Sequence, residues 1–107
     1  MNNVVLIGRL TEAPDVSILS ANKTVLNFTI AVRRRFHAEG DADADFIRCT
    51  AWDNNALFIE KYFQKGDSIG IVGELRNNKY TDEHGEIKYA TCVNVTQACF
   101  PGSSLKR

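Results

Sequence analysis

An all-β fold, a small closed barrel with one short helix set among its strands, is the architecture this sequence predicts. Apolar and polar residues alternate along most of the chain, most clearly at residues 24–36 and 45–52. Helical signals are confined to one short stretch, residues 56–63. Gly70 and Gly73 interrupt a strand pattern where a closing barrel needs bends or bulges.

The elements follow in order. Residues 4–10 (VVLIGRL) read as a first strand, ended by the segment 11–15 with Pro14 as breaker. Residues 16–19 are a short second piece, and residues 20–23 a turn. In residues 24–36, Leu26, Phe28, Ile30 and Val32 alternate with Val25, Asn27, Thr29 and Ala31, a strand with its large residues inward. Residues 37–44 are small, acidic and glycine-containing, a hairpin loop. Asp53, Asn54 and Asn55 are suited to cap the helix that follows, and Gly66 to end it. Residues 67–75 form the next strand and residues 76–80 an outward arm. Residues 81–85 turn the chain, and residues 87–98 return. Counted so, there are five strands with one helix between the third and fourth. That placement fits the OB-fold, a five-stranded Greek-key barrel that binds oligonucleotides on one face. An SH3-like barrel does not predict a helix there.

At 107 residues the chain has the size of one domain, expected over residues 1–100 with a short flexible end at 101–107. Its apolar runs fall well short of the roughly 20 residues a membrane helix needs. Met1 to Asn3 run directly into strand pattern, so no secretory leader is expected. Cys49, Cys92 and Cys99 lack CxxC spacing, and His37 and His84 are scattered, so the expectation is free thiols in a cytoplasmic setting, with no metal or other cofactor. Neither histidine stands in a nucleophile or acid–base spacing, which argues against an enzyme. Net charge is zero, which argues against action through bulk positive charge. A local stripe such as Arg33-Arg34-Arg35 can still hold phosphates, because charge effects reach about 10 Å at moderate salt.

Residues 45–52 (DFIRCTAW) carry the functional signal. Alternation puts Phe46, Arg48, Thr50 and Trp52 on one face, and Ile47, Cys49 and Ala51 on the other. The second set suits a core. The first is aromatic, cationic, hydroxyl, aromatic, a surface on which bases stack while phosphates meet a guanidinium. Three further groups could extend it: Arg33, Arg35 and Phe36; the arm Arg76, Lys79 and Tyr80; and Lys88 with Tyr89. Bland readings stand beside these. Phe46 and Trp52 could be core, Phe36 a loop anchor, Tyr80 merely an exposed ring, Tyr89 structural, and the arginines a solvated strand end. Lys61 and Lys65 near the helix end suit its dipole in any case.

In its motifs the chain resembles the single-stranded DNA-binding proteins of bacteria and bacteriophages. The resemblance runs through residues 2–10 (N-x-V-x-L-I-G-R-L), 25–32 (VLNFTIAV), 45–52, 62–67 (YFQKGD), 73–76 (GELR) and 80–85 (YTDEHG). It implies stacking roles for Phe36, Phe46, Trp52 and Tyr80, and phosphate contacts from Arg48, Lys65 and Arg76 with Lys79 nearby. It implies non-sequence-specific binding of single-stranded DNA in replication, recombination and repair. It further implies a homo-oligomer, a tetramer or else a dimer, built in part through residues 3–9. Two departures stand out. Asn54 and Asn78 occupy positions where members often carry a base. Residues 103–107 (SSLKR) hold no acid, so the partner role of an acidic tail tip is not carried over; the expectation is a phage-type minimal protein or a shortened chain. An RNA-binding or primosome-type module, or a protein-interaction module, are the rival functions.

Overall fold

The structure is a computed structural model describing residues 1–36, 38–40 and 42–101. The expectations for His37, Asp41 and residues 102–107 lie outside the described residues. Six strands and one helix follow in order: β1 (Val4–Leu10), β2 (Ser17–Ser20), β3 (Lys23–Arg33), β4 (Ala44–Trp52), α1 (Asp53–Tyr62), β5 (Ser68–Thr81) and β6 (Ile87–Cys99). The sheet order is β1-β5-β6-β4-β3-β2, and β1 also pairs β3 at Arg9↔Ala31 and Leu10↔Ile30. That second pairing closes five strands into a barrel and leaves β2 as a flap along β3. The short piece at residues 16–19 is therefore a sixth strand outside the barrel. The helix lies between the third and fourth barrel strands, as expected, but between the fourth and fifth in chain order. Strands β4 and β6 are parallel, at Cys49↔Val93 and Thr50↔Asn94. This is the OB-fold topology.

The inward faces are those that alternation assigns. Leu26 and Ile30 of β3, Cys49 and Ala51 of β4, Ile69 and Ile71 of β5, and Val93 and Val95 of β6 are all buried. Ala56 and Ile59 of α1, with Phe63 just beyond it, join the same core. A fully buried Leu or Ile contributes about 1.5–3 kcal/mol, so this set is the main source of stability. Burial, with Cys92 nearby, pushes the Cys49 thiol up to about 12, keeping it neutral and core-like.

The helix ends differ from the expected ones. Trp52 is the N-cap residue, and no side chain caps the helix. Asp53 sits at φ 51°, a left-handed conformation that Asp tolerates better than most residues. Its Oδ1 accepts from the Thr24 backbone N–H at 3.0 Å, so it ties the end of β4 to β3. Asn55 donates through Nδ2 to the Thr96 carbonyl at 3.2 Å. Two tertiary hydrogen bonds thus override the local capping preference. At the other end, the Phe63 N–H bonds to Ile59 and the helix stops there. Gly66, at φ 88°, turns the chain into β5 rather than ending α1. Pro101, expected in the flexible end, is buried, and the preceding Phe100 stacks on Phe63 with ring centroids 4.8 Å apart.

Gly73 marks the irregularity that the sequence led us to expect. The β5–β6 register shifts between Val72 and Gly73, where Val72 faces Gln97 and Gly73 faces Val95. Thr96 is the extra residue, and its hydroxyl donates to the Val72 carbonyl at 3.0 Å. A Cβ at Gly73 would sit 2.3 Å from the Asn94 carbonyl oxygen. Gly73→Ala should therefore cost at least about 2 kcal/mol, because backbone must move. Urea unfolding of the wild type and variant checks this.

Candidate functional site

Strand β4 is held on both sides, by β3 over its full length and by β6 near its middle. With its inner face in the core, its outer face is fixed. Cross-strand pairs on that face run Ala31↔Phe46, Thr29↔Arg48, Asn27↔Thr50 and Val25↔Trp52. An open groove of about 690 Å³ passes over Phe46, Arg48 and Thr50. A second, of about 320 Å³, passes over Trp52 and Arg76. The two share Asn27, Thr50, Asn78 and Cys92, so they form one track across the barrel.

Exposure separates the stacking reading from the core reading. Phe46 is 68% exposed and Trp52 36%, so neither is core. The Trp52 indole is half-covered, with the Lys23 Nζ 5.2 Å from its ring centroid. That contact leaves a ring beside a cation, a pairing on which a base can stack while its phosphate meets the charge. Among the described residues Arg48 has no ion-pair partner. Among the described residues Arg76 is engaged only by Glu74 at 3.3 Å, a weak surface pair that a phosphate can displace.

The groove floor is a polar chain. The Thr50 hydroxyl donates to Asn27 Oδ1 at 3.0 Å, and Asn78 Nδ2 donates to Cys92 Sγ at 3.2 Å. Among the described residues no hydrogen bond engages the Asn27 amide N–H groups or the Asn78 side-chain carbonyl oxygen. Asn78, which stands in the arm expected to extend the surface, at a position where members often carry a base, is thus part of the groove. Lys23, Asn27 and Cys92 were missed as site residues. Alternation could have found Asn27, since it sits opposite the inward Leu26; Cys92 and Lys23 depend on register with other strands.

The remaining expected residues divide. Tyr80 is 49% exposed and shares the outer face of β5 with Arg76 and Asn78, continuing the track onto the β5–β6 arm. Arg33 ends the outer face of β3, opposite Ala44. Phe36, 85% exposed, lies beyond β3 with the Arg35 guanidinium 5.8 Å from its ring centroid. Arg34 is spent on Asp45: its Nε and Nη2 donate to Asp45 Oδ1 at 3.0 and 2.8 Å. That hydrogen bond, more than the charge, holds the Asp45 carboxyl below its ordinary range. Lys79 falls on the opposite face of β5 from Arg76, paired across to Tyr89. Lys65 lies in the turn after α1 and lines neither groove. Tyr89, expected as structural, is 66% exposed, because the arm extends past the end of the core. Lys88 lies 4.0 Å from Asp82 and 3.9 Å from Glu86, so local carboxylates compete for it.

Residues 1–101 match the family described as "Single-strand binding protein family". The "Single-stranded DNA-binding protein" of Enterococcus faecalis is 40% identical over 94 residues, covering 87% of this chain and 50% of that protein. The "Single-stranded DNA-binding protein 1" of Lactococcus lactis is also 40% identical, with 87% of this chain and 63% of that protein covered. For the "Single-stranded DNA-binding protein B" of Bacillus subtilis the identity is 40% over 93 residues, 86% of this chain and 82% of that protein. The chain thus spans from about half to four-fifths of the length of the curated relatives it matches. These relatives are bacterial, which gives no support to a phage origin.

Because Phe46 and Trp52 are exposed, truncating them should leave the fold intact. Phe46→Ala and Trp52→Ala should each shift unfolding stability by about 1 kcal/mol or less. Thermal unfolding by far-UV circular dichroism checks this, and cooperative unfolding lost at 25 °C in either variant would return these rings to the core.

Proposed function

The chain belongs to the single-strand binding protein family, and on that premise we propose that it binds single-stranded DNA without reading its sequence. It acts as a binder, not an enzyme. One observation carries this reading: Phe46, Arg48 and Trp52 stand in a row on one exposed face of β4, in an open groove that continues to Arg76. Phe46 and Trp52 stack bases, and Tyr80 and Phe36 extend the stacking run. Arg48 and Arg76 contact phosphates; Arg33 and Arg35 add to the field at the strand end, and Lys79 and Lys65 contribute only where a longer strand passes around the barrel. Every base has a ring face, so stacking is tolerant of sequence. Such a protein coats strands exposed in replication, recombination and repair, in the cytoplasm of a bacterium.

The same reading includes a homo-oligomer, a tetramer or a dimer. Its support is β1, which pairs β3 only at Arg9 and Leu10, leaving the earlier part of that edge open. Val5 and Ile7 are exposed on this strand, and an open strand edge is a template for pairing.

Titration of oligo-dT against Trp52 fluorescence tests the binding. We expect strong quenching at low salt and an affinity that falls steadily as salt rises, with a slope of about 0.7 per phosphate contact. Arg48→Ala should reduce that slope by about 0.7, and Trp52→Ala, read by anisotropy, should weaken binding about tenfold. Absence of quenching and of any salt dependence in the wild type would falsify the reading.

A further inference from the structure

One wall of the groove carries the opposite sign to a nucleic-acid cradle. The loop between β1 and β2 lines the groove with Glu12 and Asp15, beside Phe46 and Arg48. This loop is pinned at both ends. The Thr11 N–H and hydroxyl donate to the Thr29 carbonyl at 3.1 and 3.2 Å. The Val16 N–H donates to Glu60 Oε2 of α1 at 3.1 Å. Both groove carboxylates are exposed, and neither has an ion-pair partner among the described residues. Strand order fixes which side they occupy. The loop rests against β3 through Thr29; the floor strands β3 and β4 follow; then come β6 and β5, which bring Asn78 and Arg76 to the far side. Arg48, unpaired among the described residues, therefore stands on the floor, Arg76 with its partner Glu74 on the far wall, and the unpaired carboxylates Glu12 and Asp15 on the near wall.

A single strand is a polyanion along one edge only, with its bases along the other. A duplex carries phosphates along both edges, one charge per about 1.7 Å of axis. A cleft with low-dielectric walls concentrates the field of charges that line it. Within roughly 10 Å at moderate salt, such charges are felt by whatever enters. A groove with cations on one side and carboxylates on the other accepts the first kind of polymer and turns away the second.

We infer that Glu12 and Asp15 are specificity-determining residues that exclude duplex DNA from the groove. They repel a second row of phosphates and set the strand with its backbone on the Arg48–Arg76 side and its base edges toward the β1–β2 loop. The inference rests on the single-strand binding proposed above, and goes beyond it by assigning the acidic loop a role.

The test compares the full chain with Glu12→Gln/Asp15→Gln and with a control, Glu39→Gln/Glu83→Gln, which removes the same charge from exposed positions outside the groove. Fluorescence anisotropy reads binding of a labelled single strand and a blunt duplex, each about 16 units long to match the upper site size of an OB-fold. For Glu12→Gln/Asp15→Gln we expect duplex affinity at low salt to rise about tenfold, with single-strand affinity changed by less than about threefold. The control should keep the wild-type ratio. An unchanged ratio in the groove variant overturns the inference, and so does an equal shift in the control. If the wild type fails to hold the single strand at all, the binding reading falls and takes this inference with it, an outcome distinct from an unchanged ratio.

Discussion

The register of β4 is the constraint on which both the fold and the site depend. Side chains alternate along a strand, so a slip of one residue would exchange its two faces. Cys49 and Ala51 would then leave the core, and Phe46, Arg48 and Trp52 would enter it. An arginine in that core would have no buried partner, since no buried polar or charged residue is found among the described residues. The pairs from Val25↔Trp52 to Arg33↔Ala44 prevent the slip along one edge, and the parallel pairing with Val93 and Asn94 along the other. Asp53 adds a tie at the end of the strand, where its carboxylate takes the Thr24 N–H and fixes the entry to α1 behind Trp52.

Barrel closure then turns that face into a groove with walls. The two pairs between β1 and β3 close the circle, and they need close backbone approach. A Cβ on Gly8 would lie 2.8 Å from the Ala31 carbonyl oxygen. Closure carries the β1–β2 loop to one margin of β3, and the long β5–β6 arm stands on the other side, beyond β4. The arm supplies Arg76, Asn78 and Tyr80 from one face because a strand offers its outer face at every second residue. On the proposed reading, a bed of rings and cations between two such walls combines stacking, which tolerates any base, with phosphate contacts that position the backbone.

Much of this was legible in the sequence, for a specific reason. Residues 45–52 alternate without interruption, and the apolar set Ile47, Cys49 and Ala51 fixes the opposite face as the outer one. The barrel strands and the single helix were equally plain from period. Four kinds of feature were not. Capping by Asp53 and Asn55 failed because partners distant in sequence, Thr24 and Thr96, take those side chains instead. Lys79 was grouped with Tyr80 by nearness along the chain, whereas counting parity outward from Ile69 and Ile71 puts it on the other face. Tyr89 was assigned to the core side correctly by parity, but parity does not say where the barrel ends and the arm runs on alone. The roles of Lys23 and Cys92 in the groove arise from register between strands, which no single strand's pattern contains.

The central claim is that a single strand lies on the outer face of β4. Photo-crosslinking with a single-stranded oligonucleotide carrying iodouracil, followed by mass spectrometric mapping of the full chain, tests it most directly. The account predicts adducts on Trp52 and Phe46, with Tyr80 as a further site along the arm. Adducts confined to the outer face of β1 around Val5 and Ile7, with none on β4, would contradict it.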